Sequence, residues 1–203
     1  MKTKALGSEP KQERGRQRVA AILEAAAAVF AEKGYDAATM TEIAALSGTA
    51  IGSLYRFFPS KDALADALLA RYTGLLTEGF AELEQRLPHM SLAGVAGALV
   101  DFMVALQAQR SVAVSLADAR GGSMDRRTEL RQALRGGVAG VLCKAMPALD
   151  AEHARVMAVV IAQIFKGVSG AAQEQPAVQA TLLSEMRELV RVYLASTRDR
   201  LPA

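Results

Sequence analysis

The chain has 203 residues, 51% of them hydrophobic and 22% charged, with a formal net charge of +3 and a mean hydropathy of +0.16. That length holds one large domain or a small one joined to a medium one. Its longest apolar run, the nine residues Leu92–Val100, falls short of the roughly 18 that a membrane-spanning helix needs.

The first eighteen residues are charged and lack the apolar stretch of a signal peptide. The single Cys143 excludes an intramolecular disulfide and a cysteine-based zinc site, and His89 and His153 stand far apart. The expectation is a cytoplasmic protein with no metal, no cofactor and no membrane association. Charge is unevenly placed: residues 1–61 carry nine Lys or Arg against six acids, whereas residues 62–203 carry fifteen of each. Six of those nine basic groups, with two acids, fall in residues 1–18. Such a segment is either a solvated tail or an arm that meets a polyanion.

Helical periodicity dominates, and no useful length alternates at period two. Val19, Ile22, Leu23, Ala26 and Phe30 form one stripe of a first helix, ended at Gly34, which is free to turn left-handed. Thr39 to Glu42, TMTE, is a capping-box pattern that opens a short second helix before Gly48. A third helix covers about 50–58 and stops at Pro59. Ser60 caps a long fourth helix with the stripe Leu64, Leu68, Tyr72, Leu75, Phe80, Leu83 and Leu87, ended by Pro88.

The spacing inside TEIAALSGTAIGSLYRFF is that of a helix-turn-helix. Ala44 is small enough for a close crossing, Gly48 supplies positive φ, and Leu54 points back to Ile43, with Phe57 and Phe58 extending the buried face. Ile51, Gly52, Ser53, Tyr55 and Arg56 remain on the outer face. In such a unit the second helix enters the major groove. Gly52 lets backbone come close to DNA, and Tyr55 and Lys61 are placed to hold phosphates. A plain helical hairpin is the competing reading of this spacing.

From Arg18 to about Tyr72 the chain resembles the DNA-binding domain of the TetR family of transcriptional regulators. The residues that carry the resemblance read IL.AA..VF...GY...T...IA..SG...GSLY.FF.SK..L, from Ile22 to Leu64. The resemblance implies an all-α fold, with a three-helix helix-turn-helix DNA-binding domain followed by an all-helical ligand-binding and dimerisation domain. It further implies a two-fold homodimer and control of DNA affinity by a small molecule. The expected division is a flexible basic arm over 1–17, the DNA-binding domain over 18–72 and the effector-binding and dimerisation domain over 73–203. Expected DNA-facing residues are Thr39, Thr41, Thr49, Ala50, Ile51, Gly52, Ser53, Tyr55, Arg56 and Lys61. Two positions depart from the family pattern. Ala50 stands where a small hydroxyl residue usually caps the recognition helix, and Thr49 stands where an apolar residue usually follows the turn glycine. Thr49 takes over the cap if that helix begins one residue earlier.

Beyond the fourth helix the periodicity predicts helices at about 91–109, 111–118, 124–146, 151–171 and 177–200, the third of these capped by Ser123. The last two carry the stripes Val156, Val159, Val160, Phe165 and Leu182, Met186, Leu189, Val190, Tyr193. By resemblance these helices form the dimer; otherwise they complete a monomer core. A ligand pocket is mostly apolar with a few placed polar groups. Asp101 and Gln163, embedded in apolar runs, are candidate polar contacts, with Phe102, Met103, Leu106, Cys143 and Met146 as walls. Arg127, Arg131 and Arg135, with Arg120 and Arg126 nearby, form either an anion site or a solvated face paired with Asp125 and Glu129.

The sequence holds no nucleophile–base set, metal-ligand cluster or phosphate loop, so an enzyme is not expected. The expected function is a dimeric repressor that binds a palindromic DNA operator and is released by a small, largely apolar effector. An activator, or a regulator answering a protein partner, is the alternative.

Overall fold

The structure, a computed structural model, describes residues 9–119 and 124–202. Among these residues every regular element is helical: α1 (Glu9–Ala37), α2 (Met40–Leu46), α3 (Ile51–Phe57), α4 (Lys61–Arg86), α5 (Leu92–Ala105), α6 (Gln107–Ala119), α7 (Met124–Ala145), α8 (Ala151–Ala171) and α9 (Pro176–Arg198), with a 3₁₀ turn at Leu87–His89. The chain divides into two units, Met1–Arg71 with Val112–Gly122 and Tyr72–Ser111 with Ser123–Ala203. The second unit therefore begins at Tyr72, and the segment from Val112, expected in the C-terminal domain, joins the first unit.

In the first unit α1 turns Ile22, Ala26 and Phe30 inward. It begins at Glu9, so residues 9–17 of the expected arm are helical; residues 1–8 lie outside the described residues. Gly34 breaks the helix at φ 76° and ψ 170°, a conformation that a Cβ disfavours. Ile43, Leu54 and Leu64, each 0% exposed, join the same core.

In the second unit α7 packs along α8, and α9 packs on α5 and α8. Along α4 the buried line passes through Leu76, with Leu75 only half-buried, because the inward face there follows four-residue steps from Leu64 to Phe80. The expected single helix at 91–109 is broken at Leu106, a buried residue with φ −91° and ψ 6°. No glycine or proline marks that break. Ser91 caps α5, receiving the Gly94 N–H at 3.1 Å, and Asp150 caps α8, receiving the His153 N–H at 2.8 Å. Ser123, the expected cap of α7, lies outside the described residues, as does Arg120. α8 is, as a single helix, long and apolar enough to cross a bilayer by composition. Its apolar side chains divide between the core and an exposed face that carries Val156 and Val160.

Two glycines set how closely the helices approach. A Cβ on Gly137 of α7 would collide with the Phe80 ring, and one on Gly79 of α4 would collide with the Phe102 ring. Those two rings meet edge to face, their centroids 5.0 Å apart. Gly136, next to Gly137 in the same helix, has nothing within 4 Å of such a Cβ. Denaturant unfolding should therefore separate the two. Gly137→Ala is expected to destabilise by about 1–3 kcal/mol through overpacking, and Gly136→Ala to stabilise by up to about 1 kcal/mol through helix propensity.

Candidate nucleic-acid interface

The short helices α2 and α3 are shaped by the polar groups at their ends. Thr39 caps α2: its Oγ1 accepts the Glu42 N–H at 3.3 Å, while Glu42 Oε2 accepts the Thr39 N–H at 3.0 Å and the Thr39 hydroxyl at 2.9 Å. Both halves of the capping box are thus present. Lys33 of α1 donates to the other carboxylate oxygen at 2.6 Å, fixing the start of α2 to the end of α1. These contacts, the Lys33 hydrogen bond first, hold the Glu42 carboxyl down at about 2, against an ordinary 4.5.

Gly48 then turns the chain. At φ 61° it lets its own N–H reach the Ala45 carbonyl at 3.2 Å and the Thr49 N–H reach the Ala44 carbonyl at 3.0 Å. That pair of bonds is a Schellman motif, which satisfies the open carbonyls of α2 and reverses the chain. α3 follows, with Ala50 at the N-cap and no side-chain cap bond. Thr49 does not take over the cap. It is 4% exposed, and its hydroxyl donates to the Ser47 carbonyl at 3.4 Å. Of the expected DNA-facing residues, Thr49 is therefore the one that the fold buries.

Leu54 is fully buried and Phe58 nearly so, which turns the opposite side of α3 outward. Ile51 is 41% and Tyr55 48% exposed; Gly52 and Arg56 are exposed and Ser53 half-buried. Phe57 is half-buried, with the Arg56 guanidinium 5.7 Å from its ring centroid. Thr39, Thr41 and Ala50 are also exposed, although the Thr39 hydroxyl is engaged in the capping box.

Lys61 makes contacts within the protein besides any that it offers outward. Its ammonium donates to the Asp36 carbonyl at 3.0 Å and the Ala38 carbonyl at 3.1 Å, and lies 4.5 Å from the Tyr35 ring centroid. Tyr35 in turn donates to Asp62 at 2.8 Å. Two of the three ammonium donors thus tie the start of α4 to the end of α1. Backbone carbonyls as partners carry no sequence signature, which is why this role was not legible from the residues. Ser60 caps α4 as expected, receiving the Ala63 N–H at 3.1 Å.

The expected effector residues do not converge. Asp101 and Phe102 border a cleft of about 380 Å³ between α4 and α5, lined also by Gly79, Glu82, Leu83, Arg86, Met90, Gly94, Gly97 and Ala98. Asp101 is exposed and accepts from Arg187 of α9 at 2.6 and 2.9 Å. Leu106 and Met146 are core residues, Met103 is fully buried, and Cys143 is half-buried in α7. Gln163 is exposed on α8, because the buried face there runs through Ala158, Ile161, Ala162 and Phe165. The readable signal for the cleft was the small-residue face Gly94, Gly97, Ala98 and Asp101, spaced at three, four and seven. No group of three or more potential metal ligands is found among the described residues.

A family model described as bacterial regulatory proteins of the tetR family matches residues 22–68, and one described as a tetracyclin repressor-like C-terminal domain matches residues 91–194. The chain is 41% identical over 66 residues, 32% of its length, to the HTH-type transcriptional repressor KstR of Mycolicibacterium smegmatis, and that match spans 30% of the relative's length. Among solved structures, a TerR/AcrR-family transcriptional regulator from Aquifex aeolicus superposes with TM-score 0.67 over 87% of this chain and 99% of its own, at 16% identity. FadR from Bacillus subtilis, solved in complex with stearoyl-CoA, gives TM-score 0.61 over 84% and 96%, at 19% identity. At such identities the likeness is one of fold.

The Glu42 contacts have a consequence for acid stability. A carboxyl held below its unfolded value contributes stability above about 4.5 that is lost as pH falls towards about 2. In acid titrations followed by circular dichroism, Glu42→Gln is expected to show a shallower loss of stability than the wild type across that window.

Proposed function

The chain belongs to the TetR family of bacterial regulatory proteins, a family of transcriptional regulators, and on that premise we propose that it is a homodimeric, effector-released repressor acting in the cytoplasm. The observation that carries the reading is the exposed face of α3, held outward by buried Leu54 and bounded by the Gly48 turn. Ile51, Gly52, Ser53 and Arg56 enter the major groove, while Thr41, Tyr55 and Lys61 meet phosphates, Lys61 with the one donor that its carbonyl bonds leave. In a two-fold dimer these faces meet half-sites one helical turn of DNA apart, or a multiple of it, so the operator is palindromic.

Dimerisation is assigned to α8 and α9. Val156 is 56% and Val160 42% exposed on α8, and Leu189 is 57% and Val192 48% exposed on α9. The sequence stripes mixed two faces: Phe165 and Val190 are buried in the protomer, whereas Val156, Val160 and Leu189 lie open. With Val178, 44% exposed, α9 carries a face at 178, 182, 185, 189 and 192, apolar except for Glu185, with the spacing of a helix that packs against another.

The effector is assigned to the cleft between α4 and α5, with an apolar body against Phe102, Leu83 and Met90 and a polar end at Arg86, Glu82 or Asp101. FadR of Bacillus subtilis, solved in complex with stearoyl-CoA, is a precedent within the fold for a ligand that joins an apolar chain to a charged group. α4 is one continuous helix that begins beside the reader and ends at the cleft, so a shift in its second half moves the recognition helices apart or together. Moving occupancy from nearly full to nearly empty requires the effector to prefer the DNA-incompetent state by about 5.5 kcal/mol.

Leu189→Arg places a charge in the proposed dimer face without touching the core. Analytical ultracentrifugation is expected to show monomers at concentrations where the wild type is dimeric, with operator binding weakened at least tenfold. A variant that stays dimeric, or a monomeric wild type, contradicts the assignment.

A further inference from the structure

We infer that Ile51 is a specificity-determining residue that recognises thymine through its C5-methyl group, with Tyr55 flanking the contact; the inference rests on the DNA-reading role proposed for α3. Ile51 and Tyr55 are four residues apart and therefore adjacent on one side of the helix. They are 41% and 48% exposed, so together they form an apolar strip on the face that the turn presents.

The polar inventory of that face is small. Adenine is read bidentately by Asn or Gln and cytosine by a carboxylate, and α3, with the sequence IGSLYRF, contains none of these. Its guanidinium, on Arg56, sits in the last turn beside the Phe57 ring. The N-terminal end, which reaches base edges in such units, presents Ala50, Ile51 and Gly52 before any side chain able to hydrogen-bond. What an aliphatic side chain can recognise in the major groove is the thymine methyl.

Gly52 supports the same geometry. It lies within α3 without a positive φ, and a Cβ added there would meet nothing within 4 Å, so neither conformation nor packing inside the protein requires a glycine. Glycine is, after proline, the residue least favourable to a helix. Its use is external: a missing side chain lets the helix backbone sink towards the base pairs and brings the neighbouring Ile51 into van der Waals range of a methyl group.

The test uses the full-length protein. Duplexes are selected from a random-sequence pool, and the best-bound one is resynthesised with deoxyuridine replacing thymidine at one position at a time. Wild-type binding is expected to weaken about fourfold at one or two thymines in each half-site, the effect of losing one buried methyl-sized group. Ile51→Ala, checked for unchanged folding by thermal melting, is expected to bind the thymine and uracil duplexes equally. Wild-type affinity unchanged by every uracil substitution overturns the inference, as does Ile51→Ala that keeps the full preference for thymine. A pool from which no sequence is enriched overturns the DNA-reading role itself, and the inference with it.

Discussion

A helix of seven residues cannot hold itself in water, because so few hydrogen bonds do not offset the cost of nucleating it. α3 is such a helix, and it exists because Leu54 is sealed in a core with Ile43. Everything the reader does depends on that anchor. It fixes which side of α3 faces out, and a rotation of one residue, about 100°, would bury Tyr55 and expose Leu54. The Gly48 turn limits the remaining freedom, since its two backbone bonds set where α3 begins.

Around this anchor the polar side chains have positioning work. Lys33 and Glu42 join α1 to α2, and Lys61 joins α1 to α4 through two backbone carbonyls. The α2 cap is complete, whereas α3 has none. An N-cap hydroxyl contributes about 1 kcal/mol, and Ala50 forgoes it. Together with Gly52 this leaves α3 less stable than its length would allow and smoother towards a partner. Both departures from a well-made helix fall on the surface assigned to DNA, where functional constraints compete with local stability.

Much of this was legible in the residues. The capping box, the Gly34 and Gly48 positions, the buried Leu54 and the outward set on α3 all follow from short-range rules, and short helices with strong end signals obey such rules. What depends on distant partners was not legible. Thr49 reads as a polar contact until the fold buries its methyl. Lys61 reads as a phosphate ligand alone, and its tie to the end of α1 emerges only once its carbonyl partners, 23 and 25 residues earlier, are in place. Gln163 and Asp101 look alike in sequence, each a polar residue in an apolar run, yet both prove exposed, one on the outer face of α8 and the other paired with Arg187. Periodicity identifies an apolar helix without saying which of its apolar faces is inside, which is why the α8 and α9 stripes mixed core and surface.

The outward face of α3 is proposed to read a particular DNA sequence. The most direct measurement is to incubate purified protein with sheared genomic DNA from its source at near-physiological salt and to sequence what stays bound. One or a few enriched sites are expected, built from two inverted half-sites whose centres lie a whole number of helical turns apart. Diffuse retention that falls steeply with salt, with no enriched sequence, is the signature of phosphate binding alone and would contradict that role of α3.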